Sequence, residues 1–259
     1  MATVDIHEPG SFAWIELATT DQNAAKQFYG SLFGWTARDS PIGPSDFYTL
    51  FNLDGRNTGG CYTLMPDMKA QGIPPHWMLY VGVANADDAV AKVGPAGGKV
   101  IEGAFDVMEH GRMAVLQDPT GAVFAIWQPK AHTGIGIEGV PGALCWADLM
   151  TPDQDRAAKF YKQLFGWQTD AGKDSGGYLH IKNGEKHIGG IPSAEQRNPN
   201  APPHWLLYFM VTNCDASTAK AKELGATVYV PPMSMEGVGR WSVIADPQGA
   251  VFALFQSTH

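Results

Sequence analysis

The sequence is poor in cysteine and in basic residues. Its three cysteines, Cys61, Cys145 and Cys214, are widely spaced and form no CxxC pair, so we expect no disulfide framework. The 18 Lys and Arg residues are outnumbered by 26 Asp and Glu, which gives a formal net charge of −8. Nucleic acid and anionic membrane surfaces attract the opposite charge, so we expect neither as a partner.

Long apolar runs are also missing. No stretch approaches the roughly 18 apolar residues that cross a bilayer. The first residues, MATVDIHEPG, lack the basic segment and apolar run of a secretory signal, so we expect a cytoplasmic protein. No GxSxG, P-loop or HExxH motif occurs, which leaves nucleophilic hydrolysis and nucleotide binding without support in the sequence.

The chain does contain a long internal duplication. DPTGAVFAIWQ at 118–128 and DPQGAVFALFQ at 246–256 agree at eight of eleven positions. Other pairs of matching segments extend this similarity along nearly the whole sequence, and a repeat of this length indicates two domains. We expect domains at 8–130 and 143–259. The Gly-rich and Pro-containing segment 131–142 is typical of a linker that crosses the surface.

Each copy is predicted to contain two modules, and each module has the order strand, helix and three strands. In the first copy, Asp21 can cap a helix with apolar residues at helical spacing, and Gly34 can end it. Alternating apolar residues then predict strands on both sides of a second, shorter helix. The predicted modules are about 12–66, 74–128, 144–194 and 202–256.

The order FY…LFGW…DPxG occurs in both copies, with FY at Phe28-Tyr29 and at Phe160-Tyr161. In this order the chain resembles the vicinal oxygen chelate superfamily, which includes glyoxalases, bleomycin-resistance proteins and extradiol dioxygenases. The resemblance implies an α+β fold. Four βαβββ modules would form two tandem glyoxalase-like domains, each a curled mixed sheet around a cleft with helices outside.

Many members of this superfamily hold a divalent metal in the cleft, and the resemblance indicates where the ligands would lie. Those positions carry Trp14, Met78 and Ala125 in the first copy and Trp146, Leu206 and Ala253 in the second. None of these side chains supplies the nitrogen or oxygen donors that Ni, Zn, Fe or Mn need in such sites, so we expect no cofactor. The alternative is a divalent Ni, Zn, Fe or Mn ion at a displaced site in the second copy, on Asp148, His180 and His187.

Strand alternation predicts which side chains line the clefts. If Trp14 points inward, Glu16 does too, while Ile15 and Leu17 point toward the helix. The second copy repeats this pattern. The predicted cleft residues are Trp14, Glu16, Tyr80, Arg112, Ala125 and Trp127 in the first copy, and Trp146, Asp148, Tyr208, Arg240, Ala253 and Phe255 in the second.

Several roles remain open for these residues. The acid of each cleft can anchor a ligand, pair with Arg112 or Arg240, or act as a general base with a raised pKa. Each arginine can clamp an anionic ligand or lie in a surface ion pair. His76 and His204 in the repeated PPHW can contact a ligand or fix the start of a strand.

We therefore expect a protein that binds a small aromatic or amphipathic molecule in Trp-lined clefts without the usual metal site. The alternative is an enzyme of glyoxalase, lyase or hydroxylase/dioxygenase type that uses a non-standard metal or acid–base site. A third possibility is an interaction module with one vestigial cleft. Four modules can complete two clefts within one chain, so a monomer or a homodimer is expected, and no catalytic residue is assigned.

Overall fold

The computed structural model describes residues 3–44, 46–171 and 176–258, and within them it has two eight-stranded mixed sheets. Domain 1 consists of β1 (Phe12–Thr19), α1 (Gln22–Phe33), β2 (Thr36–Pro41), β3 (Phe47–Leu53), β4 (Arg56–Thr63), α2 (Pro66–Ala70), β5 (His76–Gly82), α3 (Ala86–Val93), β6 (Lys99–Val107), β7 (Gly111–Gln117) and β8 (Val123–Pro129). Domain 2 consists of β9 (Leu144–Met150), α4 (Gln154–Phe165), β10 (Gln168–Ala171), β11 (Leu179–Asn183), β12 (Lys186–Ile191), a short 3-10 helix (Ala194–Gln196), β13 (His204–Met210), α5 (Cys214–Glu223), β14 (Thr227–Met235), β15 (Gly239–Ala245) and β16 (Val251–Ser257).

Both sheets have the same topology. The strand order of domain 1 is β2-β3-β4-β1-β5-β8-β7-β6, and domain 2 repeats it from β10 to β14. The first strands of the two modules, β1 and β5, are antiparallel neighbours at the centre of the sheet. This arrangement confirms the predicted α+β fold with two tandem domains. No helix in the described ranges is long and apolar enough to cross a membrane.

Local sequence explains where the first helix begins and ends. The side chain of Asp21 accepts hydrogen bonds from the backbone N–H groups of Asn23 and Ala24, and Gly34 ends α1 with a φ of 77°. Both features confirm the sequence prediction. Ile15 and Leu17 of β1 are fully buried in the hydrophobic core, and this fixes the direction in which the alternating residues point.

The helix-covered sides of the two domains pack against each other. Helix α1 contacts α5, and α3 contacts α4. The ring of Tyr29 stacks on Trp35 at 5.4 Å between centroids and also lies 5.7 Å from Phe252 of domain 2. Phe33 lies 5.2 Å from Phe209 of domain 2. The FY and LFGW residues therefore belong to a shared interdomain core.

Each DPxG turn is joined by a hydrogen bond to the helix of the opposite domain. The Tyr29 hydroxyl donates to Asp246 Oδ2 at 2.9 Å, and the Tyr161 hydroxyl donates to Asp118 Oδ2 at 3.1 Å. The other oxygen, Oδ1, accepts backbone N–H groups of the aspartate's own turn, including that of Gly121. One carboxylate therefore holds its turn and also joins the two domains.

The segment 131–142 does not cross the surface as predicted. Ile135 and Ile137 are 1% and 2% exposed, and the Ile135 N–H donates to the carbonyl of Ala13 at 2.8 Å. Gly134 has a φ of 115°, and a Cβ there would collide with the same carbonyl. Part of the segment is therefore buried, because the glycines permit close packing against β1 and isoleucines alternate with them.

Candidate functional site

The face of the domain 2 sheet that lies away from the helices carries a buried acid. Asp148 is 5% exposed. Its Oδ1 accepts hydrogen bonds from the Tyr178 hydroxyl at 2.6 Å and from Trp146 Nε1 at 3.1 Å, and its Oδ2 accepts one from the Tyr208 hydroxyl at 2.8 Å. We call Trp146, Asp148, Tyr178 and Tyr208 cluster 2. Tyr208 lies on β13 and Tyr178 directly precedes β11, so the two tyrosines lie on opposite sides of β9. Asp148 on this central strand therefore accepts hydrogen bonds from both sides.

Domain 1 contains the same arrangement with a glutamate. The Tyr80 hydroxyl donates to Glu16 Oε2 at 2.7 Å, and the Tyr48 hydroxyl also hydrogen bonds with Glu16. Trp14 Nε1 donates to the Tyr48 hydroxyl at 3.1 Å. We call Trp14, Glu16, Tyr48 and Tyr80 cluster 1. The sequence prediction included the tryptophan, the acid and one tyrosine of each cluster, but it missed Tyr48 and Tyr178.

The repeated Gly-Gly pairs make room for the missed tyrosines. A Cβ on Gly60 would collide with the hydroxyl of Tyr48, and a Cβ on Gly190 would collide with that of Tyr178. Each tyrosine therefore crosses a glycine on the intervening strand to reach the acid. A signal for this contact is present in the sequence, because each tyrosine precedes its glycine by twelve residues in both copies.

Burial governs the protonation of both clusters. It raises the pKa of Asp148 and that of Glu16, while the tyrosine hydrogen bonds act in the opposite direction. Burial and the neighbouring acid raise the pKa of Tyr80 and Tyr208 well above 10. The tyrosine hydroxyls therefore keep their protons at neutral pH and donate to the carboxylates.

Arg112 and Arg240 do not line the clefts, and neither pairs with a cluster acid. Arg112 donates to Asp87 of α3 at 2.8 Å, and Arg240 donates to Asp215 of α5 at 2.6 Å. Arg112 lies opposite Gln128, whose side chain caps the helix that carries Asp87. Arg240 likewise lies opposite a glutamine that caps the helix carrying its aspartate partner. Their side chains therefore lie on the helix side of the sheet, and the surface ion pair proposed as an alternative is the one formed.

Strand register places three predicted positions side by side. Trp14 lies opposite Tyr80 of β5, which lies beside Ala125 of β8. Trp146, Tyr208 and Ala253 repeat this row in domain 2. The resemblance indicated Met78 and Leu206 for the middle position, but the register places these residues beside the cluster acids, two residues away. The corrected row of Trp, Tyr and Ala still lacks histidine and carboxylate donors.

The alternative metal site in domain 2 does not assemble. His187 Nε2 lies 3.1 Å from Asp170 Oδ2, and His180 Nδ1 lies 3.7 Å from Asp170 Oδ1, so both histidines contact Asp170 rather than Asp148. Within 3–44, 46–171 and 176–258, no three His, Cys, Asp or Glu side chains gather in a way that could hold a metal ion. The donor sets of both clefts therefore do not fit the metal of the superfamily.

The loop histidines have a local role. His76 Nδ1 lies 2.8 Å from the carbonyl oxygen of Pro74, and His204 Nδ1 lies 2.8 Å from that of Pro202. Each ring thus closes the turn that precedes β5 or β13. This contact corresponds to the structural alternative given for the PPHW motif.

Aromatic side chains flank the cluster in each domain, but their exposure differs between the two domains. In domain 1, Trp14 and Trp127 are 3% and 5% exposed, whereas Trp146 and Phe255 of domain 2 are half-buried. Beside Phe255, the half-buried Trp241 of β15 extends the wall toward the edge of the sheet. The acid and tyrosines of cluster 2 therefore share one sheet face with half-buried aromatic side chains, which suits a flat ligand with a polar group.

The chain is similar to known proteins in both sequence and fold. The model of the Glyoxalase/Bleomycin resistance protein/Dioxygenase superfamily matches residues 11–126 and 143–254. CFP32 of Mycobacterium tuberculosis, a glyoxylase by name, is 38% identical over 253 residues and covers 96% of each chain. The anthracycline biosynthesis protein DnrV of Streptomyces peucetius is 34% identical over 262 residues, covering 96% of this chain and 94% of DnrV.

Solved structures with low sequence identity share the fold. The Mn(II)-bound glyoxalase of Novosphingobium aromaticivorans has a TM-score of 0.66 at 16% identity, covering 97% of this chain and 83% of that one. The 2,3-dioxygenase LapB of Pseudomonas sp. KL28 has a TM-score of 0.63 at 15% identity, covering 100% and 94%. From the family match and the full-length relatives together, the chain belongs to the glyoxalase, bleomycin resistance protein and dioxygenase superfamily.

Proposed function

We propose that the protein binds a planar aromatic molecule with a hydroxyl group on the concave face of its glyoxalase-like fold. The observation that carries this proposal is cluster 2, in which a buried acid and two tyrosines share one sheet face with half-buried aromatic side chains. The aromatic walls favour a flat ligand because stacked and edge-to-face ring contacts stabilise it. The polar floor orients the ligand.

The hydrogen bonds already made in cluster 2 define the ligand's polar group. The Tyr208 hydroxyl uses its proton on Asp148, and its oxygen can still accept a hydrogen bond. The carboxylate oxygens also accept and cannot donate while ionised. The floor therefore favours a group that donates a hydrogen bond, such as a phenolic hydroxyl.

The relatives support an aromatic ligand. DnrV is named for the biosynthesis of anthracyclines, whose fused rings carry phenolic hydroxyl groups, and its similarity extends over 96% of this chain. We propose a ligand of related chemistry, namely a hydroxylated fused-ring aromatic. Quinizarin, a dihydroxyanthraquinone, is a suitable probe because it is flat and carries both hydroxyl and carbonyl groups.

Binding is proposed to proceed without a divalent metal. The row of Trp146, Tyr208 and Ala253 offers no histidine or carboxylate donor, and the Tyr208 hydroxyl is engaged with Asp148. Quinizarin should therefore bind with the same affinity before and after treatment with a chelator. Stoichiometric metal that survives dialysis, together with loss of binding after its removal, would contradict this.

A fluorescence titration with quinizarin tests the proposed function. We expect quinizarin to quench tryptophan emission in a saturable way. Tyr208→Phe should weaken its binding about tenfold, because the variant loses the hydroxyl that faces the ligand. Arg240→Gln is the matched control, since it lies in the same domain on the helix side of the sheet. Equal loss in both variants, or in neither, would contradict the assignment of the cleft.

An acid–base enzyme is the second candidate, because burial raises the pKa of Asp148 at the floor of an aromatic cleft. In that case Asp148 would take a proton from the bound molecule. Incubation with quinizarin followed by mass spectrometry distinguishes the two functions. A new product that forms with the wild type and not with Asp148→Asn would favour the enzyme, whereas unchanged quinizarin would favour binding alone.

A further inference from the structure

The two concave faces differ in one respect that the duplication does not explain. A residue of segment 131–142 lies against the aromatic wall of domain 1. We infer that His132 fills the cleft of domain 1 as a built-in occupant, so that each chain offers a single ligand site, in domain 2. The ligand part of this inference rests on the proposed function, whereas the docking of His132 can be tested without any aromatic ligand.

The position of His132 is fixed by contacts with both tryptophans. Its ring meets Trp14 edge to face, with centroids 4.4 Å apart and an interplanar angle of 89°. Its centroid lies 5.8 Å from that of Trp127, whose Nε1 donates to the His132 carbonyl at 3.0 Å. The His132 N–H donates to the carbonyl of His110 at 3.0 Å. The imidazole thus takes the place that a flat ligand would need between these side chains.

The chemistry of the ring suits this position. His132 Nε2 is buried and has no hydrogen-bond partner among the described residues. Burial, with a smaller contribution from the neighbouring His110 and His7, lowers the pKa of His132 to about 4. The ring is therefore neutral at physiological pH. A neutral heteroaromatic ring against two indoles resembles the kind of ligand that the aromatic wall favours.

In domain 2, no aromatic ring from segment 131–142 contacts the corresponding side chains, as far as the described residues extend. In the described part of the chain, the ring of Trp146 contacts that of His180 at 6.3 Å between centroids, and the ring of Phe255 contacts that of Tyr208 at 6.5 Å. Both partners belong to domain 2. Trp146 is half-buried, whereas Trp14 is 3% exposed. The difference between the domains thus coincides with the contact made by His132.

The docking of His132 is tested with free imidazole as the probe. His132→Gly removes the ring and leaves a space of its shape, so we expect this variant to bind one equivalent of imidazole, detected through Trp14 fluorescence. The wild type and His76→Gly should not respond, because the His76 ring lies in a turn outside the cleft. A folded His132→Gly that responds no more than His76→Gly would overturn the inference.

A measurement on the wild type keeps the inference testable if His132→Gly does not fold. The histidine resonances are followed by NMR during a pH titration. A docked His132 ring titrates near pH 4, whereas a ring in water titrates near its ordinary value of 6.5. A titration of His132 near 6.5 would show that the ring is not docked.

The number of ligand sites is tested by calorimetric titration with quinizarin. We expect one equivalent per chain for the wild type and a second equivalent for His132→Gly. Two equivalents for the wild type would overturn this inference and leave the proposed function standing. If quinizarin binds to no variant, the proposed function and the single-site part of the inference both fail, and the imidazole experiment still decides whether His132 is docked.

Discussion

Two glycines allow the acid–tyrosine clusters to form. Gly60 and Gly190 lie under the hydroxyl groups of Tyr48 and Tyr178, which reach across β4 and β12 to the acids. A side chain at either glycine would push the tyrosine away from the carboxylate. The carboxylate would then be left buried with fewer donors, which is unfavourable.

We expect Gly190→Ala to lower the free energy of unfolding by about 2 kcal/mol, because its Cβ meets a packed ring. Urea denaturation provides the measurement. Gly103→Ala is the control, since a Cβ there meets no atom within 4 Å, and its effect should stay within about 0.5 kcal/mol. If Tyr178→Ala is made first, Gly190→Ala should cost clearly less. Equal costs in both backgrounds would show that the two residues are not coupled.

The cluster acids also determine a pH dependence. Because burial raises the pKa of Asp148, the unfolded chain releases this proton at lower pH than the folded chain does. The contribution of Asp148 to stability is therefore present in acid and is lost as the pH rises through the raised pKa. Asp148→Asn removes this titration but keeps an oxygen that accepts from tyrosine.

We therefore expect the stability of Asp148→Asn relative to the wild type to increase between about pH 3.5 and pH 7. Urea denaturation curves for both proteins across this range provide the measurement. Glu16→Gln should behave in the same way, because burial raises the pKa of Glu16 too. A relative stability that falls with rising pH would show that the tyrosine hydrogen bonds outweigh burial.

At the scale of strands and helices, alternation along β1 and β9 was enough to place the tryptophan and the acid on one face. The assignment of Arg112 and Arg240 to the clefts was wrong, because each arginine lies beside a helix that carries an aspartate and forms the surface ion pair given as its alternative. A sequence does not show which helix residue faces which strand. Tyr48 and Tyr178 were missed for a related reason, since their contact crosses an intervening strand.

We expect Arg112→Gln and Arg240→Gln to change the free energy of unfolding only slightly, because exposed ion pairs contribute little. Thermal unfolding in low and high salt provides the measurement, and the small difference should shrink as salt screens the charges. A loss of several kcal/mol in either variant would show that the arginine supports more than its aspartate partner.

At the scale of the whole molecule, the repeated motifs serve the contact between the domains more than the clefts. Tyr29 and Asp246 meet across the interface, as do Tyr161 and Asp118. The fold and the duplication could be predicted because both copies carry the same motifs. The packing of segment 131–142 against domain 1 could not be predicted, because the segment has no counterpart in the other copy. This packing also depends on glycines that allow a close approach to Ala13.

We expect Tyr29→Phe and Tyr161→Phe to lower the free energy of unfolding by about 1–2 kcal/mol each, because each leaves a buried aspartate oxygen without its donor. The unfolding transition should remain single, since aromatic residues of both domains share one core. Calorimetry provides the measurement. Tyr229→Phe on the exposed face of β14 is the control and should change little. Two separate transitions in the wild type would contradict a shared core.

The central claim is that an aromatic ligand binds on the cluster 2 face of domain 2. Its most direct test is a calorimetric titration of quinizarin into the wild type, Trp146→Ala and Trp14→Ala. We expect Trp146→Ala to weaken binding at least tenfold, because it removes the accessible aromatic wall, and Trp14→Ala to leave the domain 2 site unchanged. Unchanged binding in Trp146→Ala, or a loss confined to Trp14→Ala, would contradict the claim.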